Sequence, residues 1–439
     1  MTIIRFFMRG LLAGLALLAA SVSHAMAPIA SWHTQNGAKV MYVQADGLPM
    51  IDVRLLFNAG SARDGGQAGL AALTNDLLDQ GGGSWSADEI AERLEQVGAE
   101  LDTGAERDMA WVSLRSLSDP ARFQPAIEVL DALVSKPRFA SGDFERERKR
   151  TLVGIQYASQ KPAEVAKKAF WKALYGDHPY ASPVEGTEAS VSALKRDDLV
   201  HFYRRYYVAR NLVIAIVGDI DRPAAERLAE RLSNRLPAGE PAPALPPVPD
   251  LKKAVEIRQQ LRSTQTHILM GQPGMKRQDP DYFSLYVGNY ILGGGGLVSR
   301  VIDEIREQRG LAYSAYSYFL PMARKGPFQM GLQTRNKKAD EALAVLRDTL
   351  KRFIEAGSTA KELEAAKKNI TGGYPLRIDS NSKILGYIAM IGFYDLPLDY
   401  LETFNSRIEA VTLEQVTDAF KRRVNPERLV TVVVGGAPK

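Results

Sequence analysis

The spacing of apolar residues in the first half of the chain alternates between strand-like and helix-like periods. Val53, Leu55 and Phe57 are apolar at every second position, which predicts a half-buried strand. Residues 109–117 predict another strand. The segment 86–89, Ser-Ala-Asp-Glu, has the composition of a capping box and therefore predicts the start of a helix. The apolar positions at helical spacing behind it are Ile90, Leu94 and Val97.

The alternation of predicted helices and strands continues to the C-terminus. Long helices are predicted at 121–135, 143–160 and 163–174. The second half is predicted to contain strand 266–271, helices 281–292 and 299–308, strands 313–320 and 327–334, and then several helices. This order predicts α+β domains in which helices cover one face of a mostly antiparallel sheet. No Gly-x-Gly-x-x-Gly follows a predicted strand, so a nucleotide-binding fold has no support.

The two halves of the chain end in the same way. Ser192 is predicted to open a helix, which is followed by a basic pair and the apolar strand 211–218. Thr412 is predicted to open a second helix, followed by another basic pair and the apolar strand 428–435. Repetition at this distance indicates a duplicated domain.

A proline-rich segment separates the two halves. Residues 237–250 contain six prolines in fourteen residues, which predicts an extended linker. The predicted organisation is therefore an N-terminal domain at 26–236, the linker, and a homologous C-terminal domain at 251–439.

The first 25 residues have the features of an export signal. Arg5 and Arg9 supply a basic start, 10–20 is an apolar run, and Ser23-His24-Ala25 fits a cleavage site. The apolar run is shorter than the roughly 20 residues that a membrane-spanning helix needs. We therefore expect cleavage after Ala25 and a soluble protein that, in a Gram-negative bacterium, resides in the periplasm.

Composition excludes several kinds of chemistry. The formal charge is +5, and removal of residues 1–25, which hold two arginines and no acid, lowers it to +3. A charge of this size gives no reason to expect nucleic acid as a partner. The absence of cysteine excludes disulfides, thiolate metal sites and cysteine nucleophiles. No Gly-x-Ser-x-Gly is present, and the five histidines are not at ligand spacing.

The segment 69–81, Gly-Leu-Ala-Ala-Leu-Thr-Asn-Asp-Leu-Leu-Asp-Gln-Gly, predicts an amphipathic helix. Its buried stripe consists of Leu70, Leu73 and Leu77. Positions 72 and 76 are neighbours on one face, where two imidazoles could share a metal. The chain has Ala72 and Asp76 there, so too few ligands are present for catalytic zinc. Asn75 and Asp76 are predicted to form a solvated polar face.

This segment resembles the zinc-binding helix of the insulinase/pitrilysin metallopeptidases, which include the mitochondrial processing peptidases. The resemblance rests on Gly69-Leu70-Ala71 and Gly81 around the family's His-x-x-Glu-His motif. It places Ala72, Asn75 and Asp76 where the family has its two zinc ligands and its catalytic glutamate. A second family motif matches 147–155, where Val153 and Gly154 replace the glutamate pair that includes the third ligand. The resemblance therefore implies a vacant zinc site and no metal in this chain.

The resemblance extends from about residue 30 to the end, and it implies a substrate-binding pair in the second half. The family carries an arginine and a tyrosine seven residues apart that hold the substrate backbone near the scissile bond. Arg306 and Tyr313 match these positions. From residue types alone, an arginine stabilised at a helix end and a tyrosine packed on a sheet are the favoured interpretation, and the family match around them favours the functional one. The segment Gly293–Gly296 also matches a segment of the family, and it is interpreted as a flexible joint between helices and not as a phosphate loop.

Two hypotheses for function follow. In the first, the chain is inactive alone and forms half of a periplasmic heterodimeric peptidase. A homologous partner supplies zinc, and this chain supplies Arg306 and Tyr313 for hydrolysis of a peptide or unfolded protein. In the second, the chain is a non-enzymatic peptide-binding or assembly protein that descends from the same family. The sequence does not identify the substrate or the partner.

Overall fold

The computed structural model describes residues 28–436, so the predicted export signal lies outside the described residues. It contains two mixed sheets, each associated with helices, which confirms the predicted α+β class. The strands are β1 (Ala30–His33), β2 (Lys39–Gln44), β3 (Met50–Phe57), β4 (Gly81–Gly82), β5 (Trp85–Ser86), β6 (Glu100–Ala105), β7 (Ala110–Leu117), β8 (Leu212–Gly218), β9 (Val255–Gln260), β10 (Gln265–Pro273), β11 (Ala315–Phe319), β12 (Pro327–Arg335) and β13 (Val430–Gly435).

Helices connect and cover these strands. They are α1 (Leu70–Asp76), α2 (Ala87–Val97), α3 (Pro120–Ser135), α4 (Ser141–Ala158), α5 (Pro162–Tyr175), α6 (Glu188–Ala193), α7 (Arg196–Tyr206), α8 (Arg222–Asn234), α9 (Tyr282–Asn289), α10 (Arg300–Ile302), α11 (Ala339–Ala356), α12 (Ala360–Gly372), α13 (Asn381–Phe393), α14 (Tyr400–Glu409) and α15 (Leu413–Arg423). Wider π-helical turns at Tyr290–Gly294 and Asp303–Glu307 extend α9 and α10. In the described part of the chain, no helix combines the length and the apolar character that crossing a bilayer requires.

The two sheets have the same strand order. The first runs β1-β2-β8-β3-β7-β6 and the second runs β9-β13-β10-β12-β11, so β2, β8, β3, β7 and β6 correspond to β9, β13, β10, β12 and β11. In each sheet one pair is parallel, β2 with β8 and β9 with β13, and the other neighbours are antiparallel. The apolar segments that signalled a repeat therefore occupy equivalent central positions.

Glycine ends both of these central strands for a steric reason. Gly218 has φ +141° and Gly435 has φ +150°. A Cβ on Gly218 would lie 2.1 Å from the carbonyl oxygen of Met50, and one on Gly435 would lie 2.6 Å from that of Gln265. Glycine at these two positions lets the neighbouring strand approach closely.

Each sheet is covered on its second face by a helix from the other half, which the sequence did not predict. Helix α13 packs on β2, β3 and β8, and helix α5 packs on β10 and β13. As a result β3 is buried on both faces: Val53, Leu55 and Phe57 lie in one core and Leu56 lies in another. The prediction of a half-buried strand was therefore wrong for β3.

The helix predicted to open at Ser192 is two helices. Thr187 caps α6 through its hydroxyl, which accepts from the backbone N–H of Ser190. The chain then becomes extended at Leu194, and α7 begins after Lys195. The prediction that Ser192 caps a helix was wrong, because no Pro or Gly marks the break between α6 and α7 in the sequence. The matching prediction at Thr412 is correct, since Thr412 caps α15 with a capping box.

The proline-rich segment 237–250 contains neither helix nor strand. It lies against the body of the protein: Leu245 and Val248 are buried, the carbonyl oxygen of Leu245 accepts from Arg324, and that of Pro246 lies 3.0 Å from His178 Nε2. His178 therefore supports the course of the segment between the halves.

A buried carboxylate links the two halves. Asp108 accepts hydrogen bonds from the Tyr180 hydroxyl at 2.6 Å, the Tyr394 hydroxyl at 3.0 Å and the Ala323 backbone N–H at 2.8 Å. Tyr394 and Ala323 belong to the second half, whereas Tyr180 belongs to the first. Because the aspartate is 3% exposed, water cannot replace it as the acceptor.

We expect Asp108→Ala to lower the free energy of unfolding by about 3 kcal/mol, since it leaves several buried donors without an acceptor. Urea denaturation measures this loss. Asp102→Ala is the matched control, because Asp102 is exposed and accepts one hydrogen bond from Trp111. We expect the control to cost less than about 1 kcal/mol. Equal losses in the two variants would show that Asp108 does not hold the halves together.

Candidate functional site

Helix α1, which contains the segment that resembles a zinc-binding helix, is positioned by an aspartate in the preceding loop. The Asp64 carboxylate accepts from the backbone N–H groups of Gly69 at 3.0 Å and Ala71 at 2.9 Å. Burial raises the pKa of Asp64 to about 7, and these two hydrogen bonds oppose the rise. The predicted stripe of Leu70, Leu73 and Leu77 is buried. The helix is therefore held in place whether or not a metal is bound.

Asn75, which the resemblance places at the position of a catalytic glutamate, is completely buried with 0% exposure. Its amide nitrogen donates to the carbonyl oxygen of Trp111 and to the hydroxyl of Tyr207, each at 3.2 Å. The prediction of a solvated polar face was wrong for Asn75, because α7 packs against α1 and Tyr207 follows α7. The side chain now stabilises the packing of α1 and does not face a substrate.

Ala72 and Asp76, at the two histidine positions, do line a cavity of about 960 Å³. Burial raises the pKa of Asp76 to about 6, and the nearby Arg150 guanidinium opposes that rise. Arg150 forms an ion pair with the buried Glu147 at 2.5 Å. The charges around Asp76 therefore include the cation of Arg150 as well as the carboxylates of Asp79, Glu147 and Glu185, and the cation opposes binding of a divalent metal ion.

The two candidate positions for the third ligand differ in their surroundings. Gly154 lines the same cavity as Ala72 and Asp76, and a Cβ added to it would meet no atom within 4 Å. Val153 is 59% exposed and does not line this cavity. Neither residue has a ligand atom.

These residues do not fit a zinc ion. Asp76 offers one carboxylate, Ala72, Val153 and Gly154 offer no donor, and the fully buried Asn75 offers only its amide oxygen. Catalytic zinc in proteins has three protein ligands. In residues 28–436, no group of three or more His, Cys, Asp or Glu side chains is arranged to hold a metal ion.

The structure brings Arg306 and Tyr313 together at the second candidate site. Both line a cavity of about 710 Å³, and the Arg306 guanidinium carbon lies 4.7 Å from the centroid of the Tyr313 ring. Arg306 also forms an ion pair with Glu307 at 3.2 Å. Tyr313 is 83% exposed, so its hydroxyl can donate to a group outside this chain. The pair therefore presents donors to solvent.

A third cavity, of about 800 Å³, connects these two sites. It shares Arg277 and Tyr316 with the cavity of Arg306 and Tyr313, and it shares Arg107 and Glu185 with the cavity of Ala72 and Asp76. The three cavities therefore adjoin one another across both halves, and we refer to them together as the groove.

The sequence analysis did not single out the charged residues in the middle of this groove. Arg107 lies 3.4 Å from the centroid of the Trp171 ring, and burial lowers its pKa to about 10. Arg277 has a buried Nε without a hydrogen-bond partner among the described residues. The sequence signal was weak, because both arginines lie in loops outside any motif.

Comparison with known proteins identifies the family. Residues 39–188 match the family described as insulinase (peptidase family M16), and residues 193–370 match the family described as the peptidase M16 inactive domain. A solved structure of a peptidase M16 inactive domain from Pseudomonas fluorescens is 38% identical, covering 93% of this chain and 98% of that one, with a TM-score of 0.90. The chain belongs to the M16 family. This confirms the resemblance drawn from residues 69–81 and 147–155.

Two further M16 comparisons cover nearly the whole chain. A protein of Helicobacter pylori described as a non-peptidase homologue is 29% identical over 411 residues, which are 92% of this chain and 94% of that protein. An uncharacterised zinc protease of Mycobacterium leprae is 29% identical over 408 residues, 91% of this chain and 90% of that protein. The M16 family match thus includes relatives described as proteases and one described as a non-peptidase.

Proposed function

We propose that this chain is the non-zinc subunit of a heterodimeric M16 peptidase. A homologous subunit with an intact His-x-x-Glu-His would bind zinc and cleave the peptide, and this chain would hold the substrate through Arg306 and Tyr313. One observation carries the proposal: the Arg306–Tyr313 pair lies exposed on a cavity wall, while the zinc positions of the same chain lack ligands. If one subunit binds zinc and the other holds the substrate, both the missing ligands and the retained Arg306–Tyr313 pair are explained.

The chemistry of the pair suits this role. The planar guanidinium of Arg306 offers fixed donors to a peptide carbonyl. The hydroxyl of Tyr313 can donate to the oxygen on which negative charge develops during hydrolysis. Its 83% exposure in the single chain leaves it free to contact a group that another subunit brings. The stacking of Arg306 on the Tyr313 ring restricts the two side chains, which reduces the entropy that binding has to overcome.

The descriptions of the related proteins support one part of this proposal, namely that the chain is inactive alone. The Helicobacter pylori relative is described as a non-peptidase homologue, and the Pseudomonas fluorescens structure as an inactive domain. Transferred to this chain, these descriptions agree with the missing ligands at Ala72, Val153 and Gly154. The chain alone would therefore cleave no peptide.

The proposed compartment is the periplasm. Its support is the sequence of residues 1–25, with a basic start, an apolar run and a small-x-small cleavage site. A zinc-bearing partner would have to be exported as well. An exported homologue with the intact motif, encoded beside this chain, is the first partner to test.

A non-enzymatic peptide-binding or assembly protein is the second candidate function. The observation that favours it is the groove across both halves, which can accommodate a peptide without any metal. In that case Arg306 and Tyr313 would contribute to binding only.

Reconstitution separates these functions. The mature chain, the zinc-bearing homologue and their mixture are compared by size-exclusion chromatography and by cleavage of an unfolded protein. We expect a heterodimer whose turnover exceeds that of the homologue alone by at least about tenfold. The control is a homologue in which the glutamate of the motif is replaced by glutamine, which should form the heterodimer and remain inactive. A chain that neither binds the homologue nor raises its turnover would support the binding-protein function.

A further inference from the structure

The cavity at the zinc positions has a charge pattern that the loss of the zinc-ligand residues does not explain. We refer to it as the vacated-site cavity. It is lined by Ala72 and Asp76 of α1, by residues of α5 and of the loop around Glu185, and by Arg150, Thr151, Gly154, Ile155, Tyr157 and Ala158 of α4. Six cationic side chains line it against three carboxylates. The cations are Arg107, Arg150, Lys161, Lys167, Lys168 and Lys172, and the carboxylates are Asp76, Glu164 and Glu185. The cavity is therefore electropositive.

Helix α5 and the residue before it supply three of these six cations from one face. Lys161 precedes the helix, and Lys168 and Lys172 follow at positions that return to the same side of it. Val165 lies between them on that face and also lines the cavity. Lysines are usually placed where water solvates them on every side. Here they form one wall of a concave surface, which concentrates their field inside it.

The cations differ in how far they are already neutralised. Arg150 pairs with Glu147 at 2.5 Å, and Lys167 lies 3.9 Å from Glu164. Lys161 lies 4.1 Å from the centroid of the Tyr157 ring, a contact that leaves its charge unpaired. Lys168 is exposed and has no ion pair or hydrogen bond with another described residue.

The lining also contains apolar side chains. Ile155 and Tyr157 of α4, Val165 of α5 and Val184 of the adjoining loop line the cavity, whereas Trp171 is buried beneath Arg107. A site that binds a small inorganic anion needs no such surface, whereas a peptide brings apolar side chains and carboxylates together. The cavity also continues into the middle cavity, with which it shares Lys167, Arg107 and Glu185. An extended chain can therefore enter from the groove.

We propose that the vacated-site cavity binds an acidic peptide segment, whose carboxylate side chains contact the lysine face of α5 and whose apolar side chains contact Tyr157 and Val165. Replacement of the zinc ligands would thus have converted a metal site into a peptide-binding site of positive charge. This site lies in a different half from Arg306 and Tyr313, and it goes beyond the proposed function because it requires no partner subunit.

Fluorescence anisotropy of the mature chain tests the proposal with three labelled peptides of about eight residues, each acetylated and amidated so that terminal charges are absent. One alternates Glu with Val and Leu, the second has Gln in place of Glu, and the third has Lys. We expect the Glu peptide to bind at least about tenfold more tightly than the Gln peptide, and the Lys peptide to bind most weakly. We also expect the Glu peptide to bind less tightly as the salt concentration rises from about 0.05 M to about 0.3 M.

Reversal of one charge, at Lys168, tests whether the peptide binds in this cavity. Lys168→Glu should weaken binding of the Glu peptide by about fivefold or more, since it reverses a cation that has no partner in the fold. Lys361→Glu is the matched control, because Lys361 is also exposed and does not line the cavity. The control changes the net charge of the protein by the same amount and should leave the affinity within about twofold.

Three results would overturn the proposal. Equal affinity for the Glu and Gln peptides would show that carboxylates are not recognised. Equal weakening by Lys168→Glu and Lys361→Glu would show attraction to the whole protein and not to this cavity. Displacement of the Glu peptide by inorganic phosphate at a similar concentration would show a small-anion site. None of these results bears on the heterodimer, which is tested by reconstitution with the zinc-bearing homologue.

Discussion

Replacement of Tyr313 by Phe should lower the peptide turnover of the reconstituted heterodimer by at least about tenfold while the heterodimer still forms. Loss of one donor to a developing oxyanion typically costs about 10²–10³ in turnover, and we expect a smaller effect because this donor is solvent-exposed. The change removes only the hydroxyl of a side chain that is 83% exposed, so it leaves the packed core untouched. Its effect on turnover can therefore be read without a change in folding.

Arg306→Ala should lower turnover by a similar factor, and Arg306→Lys should restore little of it, because lysine lacks the planar pair of donors. Tyr206→Phe is the matched control: Tyr206 also has an arginine, Arg205, over its ring at 5.2 Å, and it lines none of the three cavities. Turnover and heterodimer formation are measured on the same preparations. Unchanged turnover in Tyr313→Phe and Arg306→Ala would leave the subunit a scaffold and would favour the binding-protein function.

Local sequence signals predicted most of the elements that form the fold. The capping boxes at Ser86 and Thr412 open helices α2 and α15 where predicted. Helices 121–135, 143–160 and 163–174 correspond to α3, α4 and α5. These signals succeed because each depends on residues within one or two turns of one another.

Features that depend on contacts between distant segments were not predictable in this way. The exchange of α5 and α13 between the two sheets buries β3 on both faces, and nothing within β3 indicates which distant helix covers it. The same reasoning applies to Asn75. Its environment is set by Trp111 and Tyr207, which lie 36 and 132 residues further along the chain. A helix pattern alone assigns such a polar residue to solvent.

The candidate site likewise has features that the sequence could predict and features that it could not. The missing zinc ligands could be recognised from 69–81 and 147–155, because the motif is short and its chemistry requires particular residue types. The electropositive character of the cavity could not be recognised from the sequence, because its charges come from α4, α5 and the loop that contains Arg107. The proximity of Arg306 and Tyr313 was suggested by the resemblance, and the structure places both on one cavity.

Purified chain should contain no stoichiometric zinc, and restoring the helix motif alone should not change this. The triple variant Ala72→His, Asn75→Glu and Asp76→His supplies two imidazoles, but it still lacks the third ligand. It also puts a carboxylate into the fully buried site of Asn75, next to Trp111 and Tyr207, which should cost stability. Elemental analysis after dialysis, together with urea denaturation, measures both effects.

Addition of a glutamate at the third-ligand position should produce tight zinc binding, and the structure separates the two candidate positions. Gly154→Glu places the side chain in the vacated-site cavity without a steric conflict, and it replaces a helical glycine, which by itself favours the helix by up to about 1 kcal/mol. Val153→Glu is the matched control, because Val153 is exposed outside that cavity. We expect about one zinc per chain in the quadruple variant with Gly154→Glu and a substoichiometric amount in the one with Val153→Glu. Arg150 lies near position 76 and its cation repels the zinc ion. Arg150→Gln should therefore raise the zinc affinity of the quadruple variant that contains Gly154→Glu. Stoichiometric zinc in the triple variant would mean that another residue supplies the third ligand, and the assignment of this position to 153–154 would then be wrong.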